Sequence, residues 1–221
     1  MTPELNKIYQ GDCLEIMRGW PDKCVDVICT DIPYNCSQES SGIRTLDYGE
    51  WDKNFSTDGL IKEFARLSRK SIFIWCEHRQ ISGLLNDIKE AGLLARPLSW
   101  VKRNPTVING EKIWLPGFEV CAFGKFPGAT FNEHCHPGVW WESPDADREH
   151  PCQKPLKIIG QQIAASTNEG DIVLDPFFGS GTALLAAERL GRKWIGIERE
   201  PRWVALAQSR IAAESSQGKF L

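Results

Sequence analysis

The segment Ile172-Val-Leu-Asp-Pro-Phe-Phe-Gly-Ser-Gly-Thr182, continued by an Ala- and Leu-rich stretch to Leu190, decides how the rest of the chain is read. Ile172 to Leu174 is a short apolar run suited to a buried strand, and the residues after Thr182 are helix formers as far as Gly191. Between them, Gly179 and Gly181 let backbone come close to a ligand, and the N-terminus of the next helix offers free amides. In a dinucleotide fingerprint G-x-G-x-x-G the third glycine would fall at position 184, which is Leu184, so a nicotinamide dinucleotide loses ground. The next apolar run, Trp194 to Ile197, ends at Glu198, whose carboxylate can accept hydrogen bonds from both hydroxyls of a ribose. The plain alternative is a tight turn followed by a surface Glu, but loop and carboxylate together specify an adenosyl ligand more narrowly than either does alone.

Outward from this unit, the alternation of strand and helix repeats. Lys7 to Gln10 leads to Gly11-Asp12 and an amphipathic stretch with Leu14, Ile16 and Met17. Val25 to Thr30 is a continuous apolar run that opens into Asp31-Ile32-Pro33-Tyr34, as expected of a parallel strand buried on both faces. Helical spacing at Leu60, Ile61, Phe64 and Leu67 precedes a strand over Ser71 to Cys76, and a helix over 78–91 stops at Gly92. Pro97 to Lys102 and Phe118 to Phe123 read as an antiparallel pair joined by an elaborated connection. Residues 35–56, rich in Ser, Gly and Asp, predict a long mobile loop, and 126–155, with five prolines, predict an irregular insertion. Helical spacing returns from Leu156, and a last amphipathic helix spans 201–214. The pattern specifies one α/β domain over 1–221: a doubly wound, Rossmann-like sheet, mostly parallel with one antiparallel strand, which binds ligands outside the carboxyl ends of its strands. Asp12, Asp31, Asp175, Gly179, Gly181 and Glu198 all fall at such ends.

Composition sets the bounds. The 221 residues are 42% apolar and 25% charged, enough for a full core, and the net charge of -3 argues against holding nucleic acid by bulk electrostatics alone. Asp12, Glu15 and Arg18 interrupt the first twenty residues, so neither signal peptide nor membrane anchor is expected and the location reads as cytoplasmic. The eight cysteines form no C-x-x-C pair and mostly sit in apolar runs, the pattern of reduced buried thiols. His134-Cys135-His136, with His150 and Cys152, are zinc-type ligands in a spacing that matches no familiar module, so no metal is expected. Three basic groups stand out: Arg66, Arg69 and Lys70; Lys102 and Arg103; and Arg189, Arg192 and Lys193. Each taken singly reads as a solvated helix end or loop.

Asp31-Ile32-Pro33-Tyr34 together with Phe177-Phe178-Gly179-Ser180-Gly181 resembles the DNA amino-methyltransferases, whose catalytic signature is D-P-P-Y or S-P-P-Y and whose cofactor loop is F-x-G-x-G. Catalytic motif first and cofactor loop last is the order of their beta group. The resemblance extends over Gly11-Asp12, His150-Pro-Cys-Gln-Lys-Pro-Leu156, Asp171 to Thr182 and Ile195 to Glu198. It implies S-adenosyl-L-methionine as cofactor, with Asp12 on the adenine ring and Glu198 on the ribose. Asp175, Phe177, Phe178, Gly179, Ser180, Gly181 and Thr182 would surround the methionine and sulfonium end, with Gln153, Lys154 and Pro155 closing the pocket.

The implied reaction demands such a site. An aromatic amino group has its lone pair delocalised into the ring, so a carboxylate at Asp31 and the carbonyl of Ile32 must accept its two hydrogens and aim the lone pair at the sulfonium methyl. Tyr34 would stack on the extruded base. The chain departs from the family at Ile32, where proline is usual, yet Ile32 precedes Pro33 and stays biased to extended conformations with its carbonyl available. Asp at position 31 points to adenine N6 over cytosine N4. Double-stranded DNA is the implied partner, read by a target-recognition insertion within 104–149, with Lys102, Arg103, Trp140, Trp141 and Arg148 as candidates for phosphate contact or stacking. An insertion this small implies a short site or a homodimer that shares the work, and a cognate restriction enzyme is a further implied partner. The alternatives are a cytosine-N4 enzyme, a methyltransferase of RNA or of a protein amide, and a non-catalytic DNA-binding module, which cofactor binding would discriminate.

Overall fold

The computed structural model describes residues 1–36, 52–107, 109–145 and 153–216. Its strands and helices alternate as β1 (Lys7–Gln10), α1 (Cys13–Arg18), β2 (Val25–Asp31), α2 (Leu60–Leu67), β3 (Ser68–Cys76), α3 (Ile81–Glu90), β4 (Leu94–Lys102), β5 (Phe118–Lys125), β6 (Val139–Glu142), α4 (Leu156–Ser166), β7 (Ile172–Asp175), α5 (Thr182–Arg189), β8 (Lys193–Glu198) and α6 (Pro201–Ser216). They build an eight-stranded sheet in the order β1-β8-β7-β2-β3-β5-β4-β6. All pairs are parallel except those of β5, which runs antiparallel to both β3 and β4.

The period-two alternation of a strand explains why the sheet is covered on both faces. Ile72, Ile74 and Cys76 of β3 point into one core with Leu60 and Phe64 of α2 and Leu84 and Ile88 of α3. Phe73 and Trp75 point into the other, with Ile158 and Ile163 of α4, Leu184 of α5 and Ala207 of α6. Each such fully buried Leu or Ile contributes about 1.5–3 kcal/mol. Trp75, also fully buried, satisfies its indole N–H on Gln162 Oε1 at 3.2 Å.

The sheet order reverses direction between β7 and β2. From β7 the chain moves to β8 on one side, and from β2 to β3 on the other, which opens a crevice at the carboxyl ends of this central pair. Thr30 Oγ1 donates to Asp175 Oδ1 at 2.6 Å across that junction. Two expectations need correction. The 126–155 segment is not wholly irregular, because Val139–Glu142 forms β6 and extends the sheet edge beside β4. Of the loop expected over 35–56, residues 37–51 lie outside the described residues, and the remainder is pinned: Asp52, 1% exposed, accepts the amides of Tyr34, Asn35 and Cys36 at 2.8, 3.0 and 2.8 Å. No helix among the described residues is long and apolar enough to cross a membrane.

Candidate active site

A cleft of about 1010 Å³ runs along the carboxyl ends of β1, β8, β7, β2 and β3 and the amino end of the antiparallel β5. Asp12, Asp31, Tyr34, Glu119, Lys154, Phe177, Gly179 and Glu198 all contribute to its lining.

At the β7 end the backbone turns through Gly179 (φ 50°) and Gly181 (φ 81°), left-handed conformations that favour glycine. A Cβ on Gly181 would come within 2.9 Å of Ala207 Cβ, so α6 packs against bare backbone here. Gly196 on β8 is equally constrained, since a Cβ there would meet Leu184 Cδ1 at 2.6 Å and Phe178 Cδ1 at 2.7 Å. Glu198 Oε2 accepts the amide of Gly179 at 3.0 Å and Oε1 that of Glu200 at 2.9 Å, which ties the end of β8 to the glycine turn. Burial pushes the Glu198 carboxyl above its ordinary range. Asp12 caps α1 by accepting the amide of Glu15 at 3.1 Å through Oδ1. Gln153 Oε1 accepts from Ser180 Oγ at 3.1 Å, so this residue does reach the glycine turn. Thr182 is buried at the first position of α5, and the Phe177 ring stands edge-on to Phe55 with centroids 5.4 Å apart.

At the β2 end, Asp31 is held by a partly buried chain of alternating charge, in which Lys154 is the buried member. Lys154 Nζ lies 2.5 Å from Asp31 Oδ2 and 3.0 Å from Glu119 Oε2, and Lys102 Nζ lies 2.7 Å from Glu119 Oε1. The Tyr34 hydroxyl donates to Glu119 Oε2 at 3.2 Å. Asp31 Oδ1 is buried with no hydrogen-bond partner among the described residues. A buried acceptor left open costs free energy, and such a vacancy at a cleft is a seat for a ligand donor. Burial pushes Asp31 up to about 6 against the opposing pull of Lys154, while Lys154 and Lys102 hold Glu119 down at about 2. Asp175, also buried, is pushed up to about 7. Ile32 is buried, with its amide donating to Trp75 O at 3.1 Å, and Pro33 O accepts from Gln80 Nε2 at 3.0 Å, so the turn is fixed on both sides.

Several residues stand elsewhere than expected. Lys154 pairs with Asp31 and Glu119, and Pro155 opens α4, its carbonyl accepting the amides of Ile158 and Ile159. Although Phe178 borders the cleft, its ring belongs to the core under Gly196. Trp140 is no stacking platform: it is 8% exposed, packed in the core, with its indole N–H on Gln161 Oε1. Lys102 is committed to Glu119, and the exposed Arg103 donates to Trp141 O at 2.8 Å. Trp141 is 55% exposed. Arg148 lies outside the described residues, as do His150 and Cys152. His136 Nδ1 accepts the amide of Gly138, and no metal-ligating group of three or more side chains occurs among the described residues. Sequence reasoning missed Glu119, which stands between two lysines, and Asp52, which fixes the backbone at Tyr34, Asn35 and Cys36.

A doubly wound sheet with an adenosyl-type loop and an unpartnered carboxylate oxygen on a residue lining the same crevice fits the methyltransferase class of α/β transferases. Comparison with known proteins narrows this. The family model N6_N4_Mtase, described as DNA methylase, matches residues 101–209. The chain is 30% identical over 241 residues to the Type II methyltransferase M2.MboI of Moraxella bovis, a match spanning 92% of this chain and 86% of that protein. It is 29% identical over 251 residues to the Type II methyltransferase M.HinfI of Haemophilus influenzae, spanning 94% and 68%. The crystal structure of an M1.HpyAVI–SAM complex superposes with a TM-score of 0.75 at 31% identity, over 92% of this chain and 98% of that one. The chain belongs to the N6/N4 DNA methylase family and is an S-adenosylmethionine-dependent DNA methyltransferase.

The residues present fit that cofactor. The turn at Gly179 and Gly181 lets backbone approach a ligand closely, Glu198 lines the cleft as an acceptor that would suit ribose hydroxyls, and the carboxylate of Asp31 in the same lining would suit a cationic sulfonium.

Proposed function

We propose that this enzyme methylates the exocyclic N6 of adenine, in a base turned out of double-stranded DNA and seated between Tyr34 and the glycine turn. The observation that carries this reading is the buried, unpartnered Oδ1 of Asp31, an acceptor in want of a donor in the cleft that the cofactor loop also borders. When bound, S-adenosylmethionine supplies an electrophilic methyl group whose C–S electron pair returns to sulfur. Asp31 Oδ1 accepts one amino hydrogen and the Ile32 carbonyl the other, so the nitrogen lone pair is localised for attack on the methyl carbon. The proton shed by the alkylated nitrogen leaves through the Asp31 carboxylate to solvent. Glu198 takes the ribose hydroxyls, Asp12 the adenine ring and the glycine turn the methionine end, with Gln153 closing over it.

Recognition of the target sequence falls to 104–149, and a short site, shared work between two copies and a cognate restriction enzyme belong to the same proposal. The test is incubation with labelled cofactor and duplex DNA, followed by nucleoside analysis. Label in N6-methyladenine, lost in Asp31→Ala, is expected. Label in N4-methylcytosine would reassign the base, and no label in DNA would refute the reading.

A further inference from the structure

Lys154 is a buried cation set between two carboxylates. It is 4% exposed, its Nζ lies 2.5 Å from Asp31 Oδ2 and 3.0 Å from Glu119 Oε2, and the rings of Tyr34 and Trp75 stand 5.1 and 5.9 Å away. Behind Glu119 stands Lys102, so two carboxylates and two ammonium groups alternate and their charges cancel. The four come from separate places in the fold: the end of β2, the approach to α4, β5 and β4. A lysine as buried as Lys154 is costly to hold charged and is retained only with its carboxylate partners, so its contact with Asp31 calls for a chemical reason.

Asp31 supplies the reason. A carboxylate with both oxygens open can rotate, and in its protonated form it presents an O–H where the target amino group needs an acceptor. We infer that Lys154 is a positioning residue for the transfer: its ammonium occupies Oδ2 of Asp31, fixes the plane of the carboxylate and keeps it ionised, leaving Oδ1 as the one seat for the target amine. Glu119, fastened by Lys102 and the Tyr34 hydroxyl, holds Lys154 in place. This inference rests on the reading of Asp31 as the amine acceptor.

The charges around Asp31 make the role separable from a merely structural one. Lys154 and Glu119 face it, with Tyr34 beside it on the loop after β2, Asp175 on β7, Cys29 on β2 and Cys76 on β3. Lys154 draws the Asp31 carboxyl down and Glu119 draws it up. Removing the two charges one at a time must therefore move the acid limb of the rate in opposite directions.

The experiment is the pH profile of methyl transfer to duplex DNA at saturating cofactor, for the wild type and for Lys154→Met, Lys154→Arg and Glu119→Gln, with cofactor affinity from calorimetry. Lys154→Met should raise the acid limb by about one pH unit or more and slow transfer about tenfold below it. Glu119→Gln should lower the limb, Lys154→Arg should restore most of the rate, and cofactor affinity should stay within a few-fold of wild type. An unmoved limb in Lys154→Met, or loss of cofactor binding without a shift, would overturn the inference. If Lys154→Met fails to fold, the direction of the Glu119→Gln shift decides. If wild type transfers no methyl to DNA, the functional reading fails separately, and the Asp31 carboxyl resonance, labelled with ¹³C and assigned with Asp31→Asn, still reports whether Lys154 sets its titration.

Discussion

On the proposed mechanism Asp31 accepts an amino hydrogen in its ionised form, yet it sits where burial resists ionisation. With its carboxyl raised from an ordinary 3.8 to about 6, methyl transfer should fall as pH drops through about 6, and Asp31→Asn should lose about a hundredfold or more in rate at neutral pH with cofactor binding retained. Asp175 carries the opposite consequence for stability. Its pKa is raised to about 7, so the folded chain keeps a proton that the unfolded chain, near 3.8, has already given up. The contribution is fully present below 3.8 and is lost as pH rises through about 7, because there the native state binds more protons than the unfolded one. Melting temperature should therefore decline across this window, and Asp175→Asn, which keeps an acceptor for Thr30 Oγ1, should flatten the decline in a calorimetric pH series. Stability and activity thus pull against each other over the same pH range, the cost of burying carboxylates beside a cofactor site.

At the scale of elements, the site depends on how strand ends are turned. Gly181 takes φ 81° and abuts Ala207 Cβ, so Gly181→Ala meets both left-handed strain of about 1–2 kcal/mol and a clash with α6. Melting temperature and cofactor affinity should both fall, whereas Gly160→Ala on α4, with nothing within 4 Å of the added Cβ, should be neutral or stabilising by about 0.5–1 kcal/mol. Asp52 is the counterpart at β2, and Asp52→Ala, which strips the acceptor from three successive amides, should cost about 2 kcal/mol or more in denaturant melts and slow transfer by loosening Tyr34. Sequence and structure agree best where local signals are strong. The buried strands β2, β3, β7 and β8 are continuous apolar runs, and the glycine turn lies between such a strand and a helix, so both were legible. Four-residue β6 was not, because its pairing with β4 is nonlocal and its neighbours are prolines. Asp52 was lost in a polar stretch 18 residues from Tyr34, and Lys154 lies 123 residues from Asp31. No local pattern encodes such pairings; only the assembled sheet brings them together.

Across the whole molecule, the two ends of the strands differ in what their charges do. At the amino ends of the central strands, away from the cleft, Arg66 is taken by Glu63 and Asp22, Arg69 and Lys70 by Asp26 and Asp171, and Arg189 by Glu214. These pairings tie down the whole of the first basic cluster and Arg189 of the third, while Lys193 of the third is exposed. At the cleft end the connection from β4 to β5 contributes to the rim, where Asn104, Thr106, Leu115 and Pro116 line the opening. Next to Leu115, Trp114 is 95% exposed, with Val107, Ile113 and Phe118 also exposed at 82%, 51% and 60%. An indole so exposed adds nothing to the core, but at the mouth of a pocket that receives a base turned out of the duplex it can stack on the neighbouring bases, an interaction worth about 1–3 kcal/mol per base. Trp114→Ala should therefore weaken DNA binding about tenfold or more in a titration at fixed salt. Melting temperature and cofactor affinity should not move, because nothing buried is lost. A duplex carrying a mismatch at the target, already cheaper to open, should recover part of the lost affinity. Equal binding by Trp114→Ala and wild type would place the DNA away from this rim and return the recognition problem to the segment around 126–149.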